Sequence, residues 1–333
     1  MATGKASDFK IYNEQFFGGM TEQLTQFSNA MNAASNNALR VIPQMLKGDY
    51  EYESFFQNIT NSVTRRDTTS VATATDLALT QDELVSVKLN RKIGPVANTI
   101  DSFRKIQEAA GPNGQESLSF LLGGQIAKAI EVDYLNTMLT ALTGALLSKS
   151  DLVHQNVGSN LSTAGLVHGL SKMGDNADKI VAWVMHSKAY YDLVRGQIAA
   201  NIDGVSNFNV QTGTAVTLNR PVIITDSSSL IYHPGGSDDS DEYLTLGLVQ
   251  NAAVVKESEE RDLVSEVVTG NENLIVRLQG EYAFNLGLKG FKWDVQNGAA
   301  NPNSTALGTG SNWDSVMASV KNLAGVVIRS TSN

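Results

Sequence analysis

Between Phe9 and Leu46 the apolar positions Phe16, Phe17, Met20, Leu24 and Phe27 stand three and four residues apart, the spacing of one face of an amphipathic helix. The rest of that segment is Asn, Gln, Ala and Met, too poor in bulky aliphatics for a core of its own, so it is expected to lie along another surface as an arm. From Tyr50 the chain turns aromatic and then Thr-rich, and the branched side chains of Val63–Val71 suit a pleated surface. Val85, Val87, Leu89 and Ile93 then alternate with Ser86, Lys88, Asn90 and Lys92, the period of a half-buried strand. These stretches predict a long two-stranded β-loop. A lone hairpin is marginal in water, so the loop is expected to rest on something else, another copy being one candidate.

Gly111-Pro112-Asn113-Gly114 breaks the pattern, and Leu118, Leu121, Leu122, Ile126, Ile130, Met138, Leu139, Leu142 and Leu146 follow at helical spacings. A helix over Gln115–Leu147 would be about 50 Å long. Gly123-Gly124 inside it is expected to permit close packing or a bend. Ser150–Asp178 reads as a connection between two lobes, with a short helix over Thr163–Met173. Ile180–Met185 is a strand covered on both faces, Ser187 stands where an N-cap is wanted, and Lys188–Arg195 begins a helix.

Two short strands, Ala215–Leu218 and Val222–Asp226, flank Pro221; Gly235–Glu242 is a solvated loop, and Tyr243–Val249 returns to strand. The strongest alternation runs from Leu274 to Leu288, a strand of about 50 Å. In the Asn-, Ser- and Gly-rich tail from Gln296 to Asn333, Trp313, Val316, Val320, Leu323, Val326 and Val327 are placed to fix it to the body. A helix and a strand of matched, unusual length suit a thin slab better than a closed globule around a pocket, and slabs tile surfaces. There is no fixed-period repeat or heptad run.

Composition narrows the function classes. With 333 residues, 42% of them hydrophobic, the chain can bury a core spread over one large or two to three smaller domains. The absence of cysteine removes disulfide frameworks, thiolate nucleophiles and Cys-based metal sites. A formal net charge of -9 repels phosphates, so a nearby nucleic acid is expected to be enclosed rather than gripped. The N-terminus lacks a hydrophobic signal core and no stretch approaches the about 20 apolar residues of a membrane span, which points to synthesis in a cytoplasm and no membrane partner.

Candidate chemistry is sparse. His186-Ser187 could be offered as base and nucleophile, but adjacent residues rarely meet in hydrogen-bonding geometry, and a capped helix is the plainer reading. His154, His168 and His233 lack metal-ligand spacing, and Asp238, Asp239, Asp241 and Glu242 lack the EF-hand spacing and its glycine. Phosphate-loop, GxSxG and GxGxxG motifs are absent. No catalytic, cofactor-binding or metal residue is assigned, and no cofactor is expected. Arg65, Arg66, Lys88, Arg91 and Lys92 cluster in the β-loop of an acidic protein, either guarding an edge strand or meeting an acidic patch on a neighbouring subunit. They are the candidate inter-subunit contacts.

Three stretches, Trp183–Leu193, Leu218–Asp226, and the Leu274–Leu288 strand ending in Lys289-Gly290-Phe291-Lys292-Trp293, together resemble the major capsid proteins of tailed bacteriophages. Their fold is the Hong Kong ninety-seven type, shared with encapsulins. The resemblance covers roughly residues 50 to 294 and departs at Arg220, where many members have glycine before the proline. It implies an α+β fold with an N-terminal arm (1–49), an extended β-loop (50–110), a peripheral domain with a long spine helix (111–178) and return strands (251–294), an axial domain with a central sheet (179–250), and a C-terminal tail (295–333). The implied role is structural: self-assembly through hexamers and pentamers into an icosahedral virion capsid, formed in a bacterial cytoplasm around packaged DNA that it encloses without sequence-specific binding. Scaffolding, portal and cement or decoration proteins are further candidate partners. An encapsulin-type shell around a cargo enzyme is the alternative, and a soluble enzyme without recognisable motif a remote one.

Overall fold

In the computed structural model of the chain the described residues are 6–44, 48–57, 63, 65–66, 68–69, 71, 73, 80–102, 114–156, 158–202, 217–233, 241–257, 262–270 and 272–331. The first helix, α1 (Ala6–Ala34), lies against the long helix α2 (Gly114–Leu147) of its own chain. Met20, Leu24 and Met31 are buried there with Phe27 packed beside them, the stripe that spacings of three and four produce. The expected helix stops short of Leu46: Asn36 and Asn37 take positive φ, and Leu39–Ile42 forms strand β1.

At 34 residues α2 is about 51 Å long, as its periodicity requires. Tyr134, Met138, Leu139, Leu142 and Leu146 are buried along it. Gly124 is where α1 comes close, since a Cβ there would stand 3.1 Å from the Gln23 amide. At Gly144 the approach is tighter: a Cβ would meet the Gly308 carbonyl oxygen at 2.5 Å, so the helix α3 (Ser304–Gly308) rests directly on the α2 backbone.

Two six-stranded sheets flank this helix. The first joins β1, β2 (Tyr50–Phe56), β3 (Gln81–Thr99), β9 (Ala253–Glu257), β10 (Asp262–Val268) and β11 (Ile275–Leu288) in the order β1-β9-β11-β3-β2, with β10 paired to the distal half of β11. Among the described residues of 63–71 no strand is found; β2 instead pairs with β3 from Tyr50↔Val87 to Phe56↔Gln81. At Val87 the long β3 changes partner, and from there to Thr99 it pairs with β11. The part of the predicted loop beyond residue 87 is therefore paired along one side with the long strand β11 of its own chain. Where Leu278 faces Val96 and Gly280 faces Ile93, Gly94-Pro95 forms a bulge, a site that tolerates a residue without an N–H.

The second sheet has the order β4-β14-β8-β5-β6, from β4 (Val153–Asn156), β5 (Ile180–Met185), β6 (Val222–Ile224), β8 (Glu242–Val249) and β14 (Gly325–Thr331), with β7 (Ile231–Tyr232) on β8. Every residue of β8 is buried, as its central place demands. Helix α4 (Thr163–Ser171) is capped by Ser162, which accepts from Gly165 N–H at 3.2 Å, and α5 (Ser187–Ile202) follows β5.

Four sequence expectations need correction. The segment read as a lobe connection supplies β4, and the tail supplies β14, between β4 and β8. Thr217–Asn219 is a turn with Leu218 and Asn219 at positive φ, not the end of a strand, while residues 215–216 lie outside the described residues. Arg220, the departure from the capsid pattern, pins this turn by donating to the carbonyls of Ile180 at 2.7 Å and Ala177 at 3.1 Å. Glu242 is not part of a solvated loop but opens β8, 3% exposed, with both carboxylate oxygens accepting from Arg329 at 2.5 and 3.1 Å. Finally, β12 (Phe291–Trp293) pairs with β13 (Trp313–Ser315), and the edge-to-face Trp293–Trp313 contact at 4.8 Å ties the C-terminal segment to the long strand.

Candidate assembly surfaces

Alternation along β3 puts Val85, Val87, Leu89, Arg91 and Ile93 on one face, toward α2, so the arginine in that series falls on the covered side. Its guanidinium Nε is 3.0 Å from Asp133 Oδ2 on α2, one Nη donates to Thr137 at 3.3 Å, and the group lies 5.6 Å above the Phe284 ring. Tyr282 from β11 donates its hydroxyl to the same carboxylate at 2.9 Å. Burial first, and then the Asp133 charge, push that phenol far above its ordinary value. Arg91 thus fastens the long helix to the long sheet within one chain and is withdrawn as an inter-subunit contact. Lys88 is withdrawn too: it points to the opposite face but is only 9% exposed. Beside it, at the outer edge of β3, Asn301 of the C-terminal segment accepts from Asn90 N–H at 2.9 Å. Lys92 is exposed, opposite Glu281 in register, and Arg65 and Arg66 are exposed beyond the end of β2.

The apolar signal the charges had obscured lies on β2. Tyr50, Tyr52, Ser54 and Phe56 share one face of this edge strand, with Tyr52 57% and Phe56 68% exposed. Asp49 and Gln57 point their backbone groups at β3, so the residues of opposite parity from Tyr50 to Phe56 turn theirs outward, without partners among the described residues. Val63 and Val71, between the strands, are fully exposed. A second exposed apolar group, Val96, Val264, Val267 and Leu274, marks the far end of the β3-β11-β10 ribbon.

At the other sheet, His186 rather than Ser187 caps α5: its Nδ1 accepts from Lys188 N–H at 3.2 Å, which requires an unprotonated Nδ1. Burial holds its pKa below the ordinary histidine value, opposed by Asp226, 3.9 Å away, and reinforced by Lys188. Because the unfolded chain binds that proton more readily, the cap stabilises the fold above about pH 6.5 and this contribution is lost as pH falls. The urea midpoint should drop further between pH 8 and pH 5.5 in the natural chain than in His186→Asn, which caps without titrating. Equal drops would refute the assignment.

Of the remaining histidines, His154 and His168 lack metal-ligand spacing in the sequence, yet β4 and α4 stack their rings 5.2 Å apart. Desolvation and the neighbouring His168 and Lys172 lower the His154 pKa. His233 sits 2.6 Å from Asp241, while Asp238 and Asp239 lie outside the described residues. Among the described residues no three His, Asp or Glu side chains gather as a metal site, and no helix is long and apolar enough to cross a membrane.

A helix of 34 residues laid across a sheet with a strand of 14, a second mixed sheet, and an aromatic strand whose outer edge has no partner among the described residues make up the frame. The family description "Major capsid protein 13-like" (Gp13-like) matches residues 8–327. The chain belongs to that family of major capsid proteins. Its fold is that of solved phage capsids: the capsid asymmetric unit of cyanophage Pam1 matches with a TM-score of 0.51 at 11% identity, covering 88% of each chain. A Microbacterium phage Oxtober96 structure matches with a TM-score of 0.51 at 12% identity over 89% of this chain and 90% of that one. The capsid of Ralstonia phage GP4 matches with a TM-score of 0.50 at 11% identity over 90% and 88%. No curated protein matches the sequence. As a major capsid protein the chain is a structural subunit of a tailed-phage shell.

Proposed function

We propose that copies of this chain assemble as hexamers and pentamers into a closed icosahedral shell around the packaged double-stranded DNA of a tailed phage, in the cytoplasm of the host bacterium. The shell holds its genome by enclosure, since the net charge of -9 gives no general affinity for phosphate. The β2–β3 loop of one copy lies over the long helix and sheet of the next. The observation that carries this reading is the unpartnered β2 edge with Tyr52 and Phe56 exposed on it. Covering a large apolar side chain stabilises a contact by about 1.5–3 kcal/mol, and a shell repeats that gain at every copy.

Arg65, Arg66 and Lys92 remain as inter-subunit contacts, complementary to the acidic surface of a neighbouring copy. Scaffolding, portal and cement proteins are further partners at the shell's assembly and vertices. The double variant Tyr52→Ser/Phe56→Ser should leave a folded, soluble subunit with the far-ultraviolet dichroism of the natural chain, while electron microscopy finds closed shells reduced at least tenfold. Normal shell yield from that variant would overturn the proposed contact.

A further inference from the structure

The two edges of the first sheet are treated differently. At the β1 edge, Leu39 and Val41 turn their N–H and C=O groups away from β9, the arrangement that ordinarily invites another strand. All four groups are occupied by side chains from the end of α1 and the turn that follows it. Asn32 accepts from Val41 N–H at 3.0 Å and donates to Val41 C=O at 3.2 Å. Ser35 donates to Leu39 C=O at 3.0 Å and accepts from Leu39 N–H at 3.3 Å. Two side chains thus reproduce what a neighbouring strand would give, with the Asn32 carboxamide mimicking a peptide group. No comparable cover is found on β2 among the described residues.

We infer that Asn32 and Ser35 form an edge guard that ends the sheet at β1 and keeps a second copy from adding its own β1 there. Because the guard is carried by α1, seating this helix on α2 is what closes the edge. The inference does not depend on shell formation and can be tested on the full chain before any assembly.

An unguarded β1 would pair with itself about a two-fold axis. Leu39 would bond Val41 of the second copy, and the two residues 40 would face each other as a non-hydrogen-bonded pair with Cα atoms about 4.5 Å apart. That separation lies within disulfide range, about 4.4–6.8 Å, and the chain has no cysteine of its own. Arg40→Cys is therefore a clean reporter. Under mild oxidation, Asn32→Leu/Ser35→Ala/Arg40→Cys should give at least tenfold more covalent dimer than Arg40→Cys alone. Equal dimer in both, or none in either, would overturn the guard. Should the multiple variant not fold, Asn32→Ala alone keeps Ser35 on Leu39 and should speed amide exchange at Val41 at least tenfold without changing Leu39. Unchanged exchange at Val41 would overturn the inference by itself.

Discussion

Replacing residues 58–79 with a two-residue Asn-Gly turn should abolish closed shells while leaving a folded subunit. Gln57 N–H already donates to the Thr80 carbonyl at 2.9 Å, so the shortened chain closes a hairpin at a pair the structure has built, with the turn type hairpins favour. The deleted part carries Val63, Arg65, Arg66 and Val71, all exposed. None of them contributes to the core of the subunit, so thermal unfolding should shift little. Particle yield by electron microscopy should fall below detection. Shells of natural size and number from the shortened chain would remove the loop from assembly altogether.

The second large effect concerns stability. Glu242 and Arg329 form a two-point ion pair at one end of the second sheet, with side chains 4% and 16% exposed and the guanidinium 4.5 Å above the Tyr232 ring. Glu242→Ala strands the arginine charge beside buried strand β8 and should cost about 3–5 kcal/mol in urea unfolding. Removing both charges with Glu242→Leu/Arg329→Met should recover most of that loss, because a buried pair contributes little over an apolar pair of similar volume. A single variant within about 0.5 kcal/mol of the natural chain would show that the arginine finds water instead.

How far the sequence foretold this architecture depended on whether a signal was local. The 3.6-residue period of α2 and the two-residue alternation of β11 each persist long enough to exclude other readings, and both elements stand where expected. The partner of Gly325–Thr331 is Glu242–Val249, some eighty residues away, and nothing in a short apolar run names its neighbour, so the sequence alone presents this strand as part of a tail. β1 is four residues long and follows a helical pattern that masks it.

Among the candidate contacts, Arg91 could have been recognised. It occupies the same parity as Val85, Val87, Leu89 and Ile93, and a charge on a buried face must have a partner, here Asp133. Lys88 could not, since alternation places it on the face opposite the buried series, and only the folded chain leaves it 9% exposed there. The Tyr50-Tyr52-Phe56 series was legible as alternation, but its exposure follows from β2 being an edge strand, which only sheet order reveals. The basic residues stand out by composition, yet covering an exposed apolar side chain such as Tyr52 or Phe56 would stabilise a contact more than an exposed ion pair does.

The histidines, too, have their places set by tertiary contacts that the sequence does not name. His186 is committed to a helix cap, His154 to a stack with His168, and His233 to Asp241. Among the described residues each meets a partner beside its ring.

The most direct measurement is size-exclusion chromatography followed by negative-stain electron microscopy of the full chain expressed without other phage proteins. Closed shells, or rings of six and five subunits, are the predicted result, with the β2–β3 loop bridging adjacent copies in averaged images. A chain that stays a monodisperse monomer or dimer at every concentration, with folded dichroism, would contradict the account that its exposed edge strand drives shell assembly.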